Sequence, residues 1–490
     1  MSSAAPPRAI PISDRMVGLR LWWYVPAVGL GLALARWGAG TRTFLLAATI
    51  GAIGLLWLPG WVWAVGALSG ALLSRVVTSV GILPPIVNFS DFGFVFAGLA
   101  AVLAYRAVGQ RWTATARHLG LAMLVLLGIT WLSWAMNPSD LARPIVTFML
   151  WAEPFALVLI LLLDPPTREA RRAVLWVLGI VIALQVAFGL YQATTIADAD
   201  FVKGTLIGAG AGHHVMAGVT ALGGLCLLAW GFGRSLTTGL VCTVLSSPFL
   251  ILMPVLADAK QVIFALPAAA AVLVLATPGV VRRIAVAGPV VVAVAVLIVL
   301  VPAGTTAVGF LESASEGQSG KLSSVRLVTD EMGASVSRWA LGLGPANGVS
   351  RAAFMTTDLF AGGESPVRTL GLEPAALPIR AQSRALQISE GTSFNAPLSS
   401  ALGIFSDIGT LGAVAYSAVL AAVALPLLRR RKQWLSRAAL AGWALSVPLA
   451  VAFDWWEQPP FTLVLALITG LGLSIQPSEE PSPHADPSRS

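Results

Sequence analysis

Polar side chains that could do chemistry stand at the ends of long apolar segments in this chain. Gln192 ends one segment, His213 and His214 open the next, and Lys260 lies in the short turn between two others. A further segment closes with Asp454-Trp455-Trp456-Glu457. A cation fixed in a water-poor site stabilises negative charge on a reacting oxygen, and an imidazole or a carboxylate accepts a proton. These residues therefore offer the groups that charge-stabilising and acid–base catalysis require.

The elements that must position these groups lie in a membrane. Of 490 residues, 57% are hydrophobic and 11% are charged, whereas about a quarter of the residues in soluble domains are charged. A membrane-spanning helix needs roughly 17 to 25 predominantly apolar residues. The sequence predicts an all-α polytopic membrane protein of about fourteen transmembrane helices. These helices are predicted to begin near Leu21, Thr43, Trp61, Phe92, His118, Pro144, Arg172, His214, Ser235, Val262, Arg283, Leu402, Gln433 and Phe461.

A long polar stretch at 302–399 interrupts the apolar segments. It separates an N-terminal transmembrane bundle at 21–301 from the C-terminal transmembrane helices at 400–475. The two ends, 1–20 and 476–490, contain stretches rich in Ala, Pro and Ser. Such a composition predicts disordered tails, which we expect in the cytoplasm.

The distribution of charge predicts the orientation in the membrane. The basic run Arg429-Arg430-Arg431-Lys432 follows the twelfth predicted helix, and the positive-inside rule places that helix end in the cytoplasm. The 302–399 stretch is then a large extracytoplasmic loop, on the same face as the polar helix ends described above. Most of the net charge of +8 lies in short loops beside apolar segments. The charge therefore reports orientation and does not indicate a nucleic-acid partner.

Five stretches of the sequence, taken in order, carry a resemblance to one group of membrane enzymes. The first three are GILPPIVNFSDFGFVFAGL, then GLYQ followed by GTLIGAGAGHHVMAGVTAL, and LADAKQVIFALPAAAAVLVL. The last two are KLSSVRLVTDEMGASVSRWALGLGPANGV and PLSSALGIFSDIGTLGAVAY. Together they resemble the O-antigen ligase and polymerase superfamily. Members of that family are integral-membrane glycosyltransferases that join lipid-linked saccharides outside the cytoplasmic membrane.

The chain departs from the family pattern at two places. The family typically has Pro-His-Asn where this chain has Pro397, Leu398 and Ser399, so the histidine is missing. Lys260 stands where the family usually has an arginine. Lysine keeps the positive charge but lacks the bidentate fork of a guanidinium. Because the missing histidine is typical of the ligase branch, its absence favours a polymerase.

The resemblance implies an enzyme of the bacterial cytoplasmic (inner) membrane with an extracytoplasmic active face. Its donor would be a saccharide on a polyprenyl phosphate or pyrophosphate and its acceptor a glycan, with membrane lipid and other polysaccharide-export proteins as further partners. No metal or cofactor is needed, because fixed cations can stabilise the phosphate leaving group. The implied catalytic residues are Lys260, Arg326, Asp407 and His214. The implied substrate-binding residues are Arg338, Arg351, Gln192, His213, Asp454, Trp455, Trp456 and Glu457.

Each residue assignment has a structural alternative. The base for the acceptor hydroxyl stays open between Asp407, Asp454, Glu457 and the two histidines. Lys260 could cap a turn beside lipid headgroups, and Arg326 could pair with a neighbouring acidic residue of the loop. The histidines could cap a helix, and the tryptophans could belong to an interfacial aromatic belt. An acid such as Asp407 is favourable at a helix N-terminus without any catalytic role.

Other functions compete with a polymerase. A ligase would move a finished glycan from the carrier lipid to an acceptor. A lipid-linked oligosaccharide flippase would also have about fourteen helices, but we expect charged residues along its transport path, and the predicted helices look almost free of charge. A metal-dependent polyprenyl-phosphate-sugar transferase usually has its acidic pair in the first outer loop, but that loop, around Gly38 to Thr41, is short and has no acid. Elsewhere, Asp198-Ala199-Asp200 has the acid-x-acid form used for metal-assisted sugar transfer. So short a pattern also arises by chance.

Part of the long loop is predicted to be helical. Between Val325 and Leu341, apolar residues recur at near-helical spacing. These residues are Val325, Leu327, Val328, Met332 and Val336.

Overall fold

The computed structural model describes eleven of the predicted transmembrane helices. The described residues are 57–81, 85–105, 107, 112–196, 198–207, 212–284, 287–288, 320–356 and 399–475. The predicted helices near Leu21 and Thr43, and most of the one near Arg283, lie outside them. So do the tails at 1–20 and 476–490 and much of the predicted loop. The total of about fourteen helices and the full extent of the loop stay predictions.

Helices are the only regular structure of the described residues. Eight long helices form the described N-terminal part: α1 Gly60–Ser79, α2 Ser90–Tyr105, α3 Ala114–Met136, α4 Ala142–Leu163, α5 Arg168–Thr195, α6 Gly212–Arg234, α7 Leu236–Leu256 and α8 Lys260–Ala276. Three short helices follow: α9 Gly320–Gly333, α10 Val336–Leu341 and α11 Arg351–Met355. The C-terminal part has three: α12 Ser400–Arg429, α13 Trp434–Ala452 and α14 Pro459–Ser474. Single 3₁₀ turns form at Pro85–Phe89, Ala199–Phe201 and Trp455–Glu457.

The length and composition of these helices define a multi-pass membrane protein. Nine helices of the described part are long and apolar enough to cross a bilayer. The helices α8 and α14 are equally apolar but have 17 and 16 residues. All eleven follow the predicted order, because an apolar segment in lipid must satisfy its backbone hydrogen bonds internally and therefore becomes helical.

Hydrogen bonds between helix ends identify the two faces of the bundle. At one face, Gly60 N–H donates to Asp164 in the turn after α4, and Arg430 donates to the last carbonyls of α14. We call this the arginine face. At the other, Ser133 of α3 donates to the backbone of Asp407, and Ser400 N–H of α12 donates to Phe453 O after α13. The contacts of α9, α10 and α11 lie at this second end, which we call the loop face.

Four helices form the centre of the bundle, α4, α6, α13 and α14, and most of their residues are buried. Aromatic rings join this centre to α12. The ring of Phe155 stacks on Trp443 at 5.7 Å with an interplanar angle of 7°, and its edge meets Tyr416 at 5.7 Å. The remaining helices enclose this centre and present apolar side chains outward, as a lipid-facing surface requires.

The predicted helical segment of the loop is confirmed, with a break. The helices α9 and α10 cover it, and Ser335 ends the break by capping α10 with a hydrogen bond from Arg338 N–H. Only some of these apolar residues face the protein. Val328 and Met332 are fully buried and pack against Leu402 and Phe405 of α12, whereas Val336 is 86% exposed.

Candidate functional site

A break in α12 receives a glycine-rich loop. Inside the helix, Gly409 has φ 69° and ψ −168°, a conformation that only glycine adopts without strain. Gly342, at φ 80°, crosses it so closely that a Cβ atom on either residue would meet the other backbone. Leu343 N–H donates to Ser406 O at 2.8 Å and Gly344 N–H to Asp407 O at 3.1 Å. Carbonyls at the break are thereby satisfied by the loop.

Asp407 anchors this loop, which we call the 341–350 loop. Its buried carboxylate accepts from Gly348 N–H at 2.6 Å, from Ala346 N–H at 3.0 Å and from Ser350 Oγ at 2.6 Å. A carboxylate with three donors, two of them backbone groups, is a structural tie. This geometry corresponds to neither the catalytic base nor the simple helix N-terminal acid that the sequence suggested for Asp407.

The other side of the 341–350 loop is tied to α3 and α4. Asn137 Nδ2 donates to Gly342 O at 3.3 Å, and the Asn347 amide donates to Leu343 O at 2.8 Å. The buried guanidinium of Arg143 donates to Asn347 Oδ1. The loop is therefore held on both sides, and it delivers the residue that follows it, Arg351, to a fixed position.

Arg351 lies in a network of acidic residues from the turn between α13 and α14. Its Nη1 pairs with Asp454 Oδ2 at 3.1 Å, and Gln458 Nε2 donates to the same oxygen at 2.9 Å. The side chains of Arg351 and Asp454 are 20% and 14% exposed. The backbone N–H of Arg351 and that of Ala352, at 3.2 Å, donate to Glu457 Oε2.

Glu457 has a perturbed acidity. Burial raises the pKa of its carboxyl well above the ordinary value, and the nearby charge of Asp454 raises it further, while the backbone donor at Arg351 lowers it. The neighbouring side chain of Trp151 on α4 also lowers this pKa.

Three charged residues inside the predicted helices join this network. Arg75 of α1 interacts electrostatically with Arg351 and with Asp91 of α2, and Asp91 interacts in turn with Glu153 of α4. The Arg75 side chain is half-buried and forms no hydrogen bond or ion pair with another described residue. We call the set of six the central charge cluster; it comprises Arg75, Asp91, Glu153, Arg351, Asp454 and Glu457.

The expectation of helices almost free of charge is therefore wrong at this cluster. Asp91 and Glu153 are buried, and both carboxylate oxygens of Glu153 have no hydrogen-bond partner among the described residues. A charge inside an apolar segment is costly and usually functional. That signal was present in the sequence at Arg75, Asp91 and Glu153, and it could have identified all three.

A second group, the histidine–lysine cluster, comprises Asp200, His213, His214, Asp258 and Lys260. Lys260 Nζ pairs with Asp258 Oδ2 at 2.9 Å, and its side chain is 25% exposed. His213 Nε2 lies 3.5 Å from Asp200 Oδ1, and the two imidazole centroids are 3.8 Å apart. Both rings are buried, and neither Nδ1 has a hydrogen-bond partner in the described part. Lys260 also interacts electrostatically with His214.

Trp455 links the two clusters. Its Nε1 donates to the Oε1 of Gln261 at 2.9 Å, and Gln261 directly follows Lys260. The Trp455 ring also contacts Phe461 edge-on, with 4.9 Å between the ring centroids. Trp456 Nε1 donates to Ser446 Oγ at 3.2 Å. The two tryptophans are 2% and 7% exposed, so neither ring presents the open face that a sugar or a lipid interface would contact.

Gln192 uses its whole amide within the protein. Its Nε2 donates to Gly204 O at 2.9 Å, and its Oε1 accepts from the N–H groups of Lys203 and Gly204, both at 2.8 Å. It thus fixes the turn that leads to the histidines, and both acceptor positions of its oxygen are filled by backbone donors. Asp198 is likewise occupied, since its Oδ1 accepts from Asp200 N–H at 2.9 Å.

The two loop arginines lie outside both clusters. Arg326 is exposed on α9 and forms no ion pair with a described residue, so the pair with a neighbouring acid is not found within this part of the chain. Arg338 instead pairs with Glu331 at 2.9 Å, with both side chains exposed.

Within the described ranges, no group of three or more His, Cys, Asp or Glu side chains has the arrangement of a metal site. No protein-family model, curated protein or solved structure matches the chain. The functional argument therefore rests on the geometry of the two clusters. Their arginines and lysine can bind an anion, and their carboxylates and imidazoles can accept a proton.

Proposed function

We propose that this chain is a membrane glycosyltransferase that joins saccharide repeats carried on polyprenyl phosphate or pyrophosphate into a surface polysaccharide or exopolysaccharide. The observation that carries the proposal is the presence of two guanidinium groups, Arg75 and Arg351, in the central charge cluster at the loop face. Among the described residues, Arg75 has no ion pair and Arg351 pairs with Asp454 through Nη1 alone. Guanidinium donors that the described residues leave unpaired suit a phosphate.

The chemistry follows from the leaving group. The acceptor hydroxyl oxygen forms a bond to the anomeric carbon, and the bond from that carbon to the carrier phosphate breaks. The electron pair leaves with the phosphate oxygen, whose growing charge Arg75 and Arg351 stabilise in a site that is poor in water. Because positive charge does this work, no metal is required.

Asp454 is the proposed acceptor of the hydroxyl proton. Its side chain is 14% exposed, and its Oδ2 lies 3.1 Å from Arg351 Nη1, beside the proposed phosphate site. Asp407 is not proposed as the base, because its oxygens already accept three hydrogen bonds. Lys260 and His214 lie across Trp455 and are proposed to bind the second saccharide or its phosphate.

The proposed setting is the bacterial cytoplasmic membrane, with the loop face extracytoplasmic. The proposed partners are the polyprenyl-linked donor, the glycan acceptor, membrane lipid and other polysaccharide-export proteins. A ligase that moves a finished glycan uses the same bond chemistry and differs only in its acceptor.

One observation favours a second candidate, a flippase for lipid-linked oligosaccharides. Arg75, Asp91 and Glu153 are charged residues inside membrane-spanning helices, and transport pathways carry such residues. A flippase would move the donor without forming a glycosidic bond.

A reconstitution experiment separates these functions. The full-length protein is placed in liposomes with lipid-linked saccharides extracted from its native membranes, and products are resolved by chain length. We expect longer chains from the wild type, none from Arg351→Gln or Arg75→Gln, and normal chains from the matched control Arg338→Gln. Translocation of the donor with no new glycosidic bond would overturn the proposal in favour of the flippase. Long chains that move intact to another acceptor would identify a ligase.

A further inference from the structure

Gln458 stands at the start of a helix that does not use its side chain. It is the N-cap residue of α14, but its amide makes no capping hydrogen bond to that helix. Ser, Thr, Asp and Asn are the preferred N-cap residues, because their short side chains reach the first free N–H groups. The Gln458 side chain is buried, and its Nε2 instead donates to Asp454 Oδ2 at 2.9 Å. The amide therefore binds the carboxylate and not the helix.

The backbone of Gln458 is held on both sides. Its N–H donates to Trp455 O at 3.3 Å, and its carbonyl accepts from the N–H groups of Phe461 and Thr462, each at 3.1 Å. The next two residues are prolines, which restrict the start of α14 and favour the extended conformation of Gln458, at φ −107° and ψ 92°. The amide thus reaches Asp454 from a rigid backbone.

Both hydrogen bonds to the Asp454 carboxylate fall on the same oxygen. Oδ2 accepts from Arg351 Nη1 at 3.1 Å and from Gln458 Nε2 at 2.9 Å. A carboxylate oxygen has two lone-pair sites, so these two donors fill them. No described residue donates to Oδ1, and the side chain is 14% exposed. Oδ1 is therefore the oxygen that remains for a substrate hydroxyl.

The two donors come from separate parts of the chain. Arg351 begins α11 after the 341–350 loop, whereas Gln458 precedes α14. A carboxylate with one donor can pivot about that hydrogen bond, and a second donor from another direction removes this freedom. Gln458 thus supplies the restraint on Asp454 that Arg351 alone does not.

We propose that Gln458 is a positioning residue for the transfer reaction, because it holds Asp454 Oδ2 so that Oδ1 receives the proton of the acceptor hydroxyl. As the hydroxyl O–H bond breaks, its oxygen bonds to the anomeric carbon, and the carrier phosphate leaves with the electron pair of the broken bond. Gln458 acts through Asp454 and contacts neither substrate. A base held in one orientation meets the hydroxyl in the productive geometry. This role rests on the transferase function proposed above.

Chain extension in liposomes by the full-length protein tests this role. Gln458→Met removes the donor and keeps a similar length, so kcat should fall by about ten- to a hundredfold, the range for a hydrogen bond to a charged group. The KM for the lipid-linked donor should stay within about twofold, because Arg75 and Arg351 are unchanged.

Gln433→Met is the matched control. Gln433 is also a helix N-cap without a capping side-chain hydrogen bond, but it precedes α13 and directly follows the basic run at the arginine face. Its kcat should stay within about twofold of the wild type. A loss equal to that of Gln458→Met would overturn the positioning role.

A double variant separates positioning from packing. Asp454→Asn keeps the shape of the side chain but removes the base, so it should lower kcat, and adding Gln458→Met should then change the rate by less than about twofold. An equal further loss in both backgrounds, wild-type kcat in Gln458→Met, or wild-type kcat in Asp454→Asn would overturn the role. If Gln458→Met fails to fold, Gln458→Glu keeps the size and places a carboxylate against Asp454. It should also lose activity, and wild-type kcat there would overturn the role.

The same assay distinguishes this role from the transferase itself. Wild-type protein that forms no glycosidic bond would overturn both proposals. Chain extension by the wild type, combined with any of the contrary variant results, would overturn the positioning role alone.

Discussion

Arginine side chains at the two faces of the bundle have different kinds of partner. At the arginine face, Arg430 donates to Leu473 O and Ile475 O at the end of α14, and Arg437 donates to Ala229 O near the end of α6 at 3.0 Å. Helix C-terminal carbonyls carry partial negative charge, so these arginines act as caps. At the loop face, Arg351 instead pairs with an acidic side chain, that of Asp454.

The difference shows that an arginine near a membrane surface has a role set by what it faces. The capping arginines donate to carbonyl groups at helix C-termini, which have no hydrogen-bond partner within their own helix. Among the described residues, Arg75 has no ion pair and Arg351 pairs through Nη1 alone, so both retain donors there. Only the second arrangement fits the proposed binding of an external anion.

The largest expected effect contrasts one arginine from each face. Arg351→Gln should lower the rate of chain extension in liposomes by about a hundred- to a thousandfold, equivalent to about 2.7–4 kcal/mol of lost transition-state stabilisation. Arg430→Gln should keep the rate within about twofold and instead lower the melting temperature slightly, since it removes a cap. Equal loss of activity in both variants would erase the distinction between the faces.

Lys260 should follow with a smaller effect. It is partly exposed and forms an ion pair with Asp258. Lys260→Ala should therefore reduce the rate of chain extension by roughly thirtyfold, equivalent to about 2 kcal/mol of transition-state stabilisation. Lys260→Arg should restore most of the rate, because it keeps the charge and adds a fork that fits phosphate. Full activity in Lys260→Ala would confine the site to the central charge cluster.

Replacing Asp407 should lower the stability of the protein more directly than its catalytic activity. Asp407→Ala leaves the buried donors of Ala346, Gly348 and Ser350 without an acceptor, which should cost about 3 kcal/mol or more. Thermal unfolding and proteolysis of the 341–350 loop measure this loss. The exposed Asp330→Ala on α9 is the control. Unchanged melting with lost activity would return Asp407 to a catalytic role.

Glu457 should make stability depend on pH. Its folded pKa is raised above the unfolded value by burial, so its contribution is complete at low pH and declines as pH rises from the ordinary glutamate range toward the raised value. Glu457→Gln should therefore lose less stability than the wild type over that interval, by about 1 kcal/mol or more. Parallel melting curves against pH for the two proteins would contradict the shift.

The smallest effect is expected at Arg326. Because this side chain is exposed on α9 and has no ion pair among the described residues, Arg326→Ala should change the rate by less than about twofold. Chain extension and membrane abundance measure it against the wild type. A loss comparable with that of Arg351→Gln would restore the catalytic role that the family resemblance implies for Arg326.

The helices of this protein were largely predictable from the sequence. Apolar segments such as those of α4 and α12 must form helices in lipid, and their order followed directly. The sequence also indicated that Arg351 and Asp454 belong to a polar face, but not that they pair. That contact depends on how the 341–350 loop docks against α3, α4 and α12, which no local pattern contains.

The residues whose contacts the sequence did not reveal fall into two groups. Gln192 and Asp407 are polar residues at helix ends, where exposure and burial look alike in a sequence. Their partners are backbone groups of distant loops. Every residue type except proline carries the same backbone donor, so the sequence does not show which one is the partner. Arg75, Asp91 and Glu153 were recognisable as costly charges, but their association depends on the rotation of three helices about their axes.

The break at Gly409 bears on the order in which the chain assembles. The helix α12 reaches the membrane after the 341–350 loop has been synthesised, because the loop precedes it in the sequence. Carbonyls of Ser406 and Asp407 at the break, together with the Asp407 side chain, then meet donors already present in that loop. We therefore expect the loop to act as a template for the turns of α12 at the loop face, and an altered loop should leave those turns as the last of the described helices to become ordered.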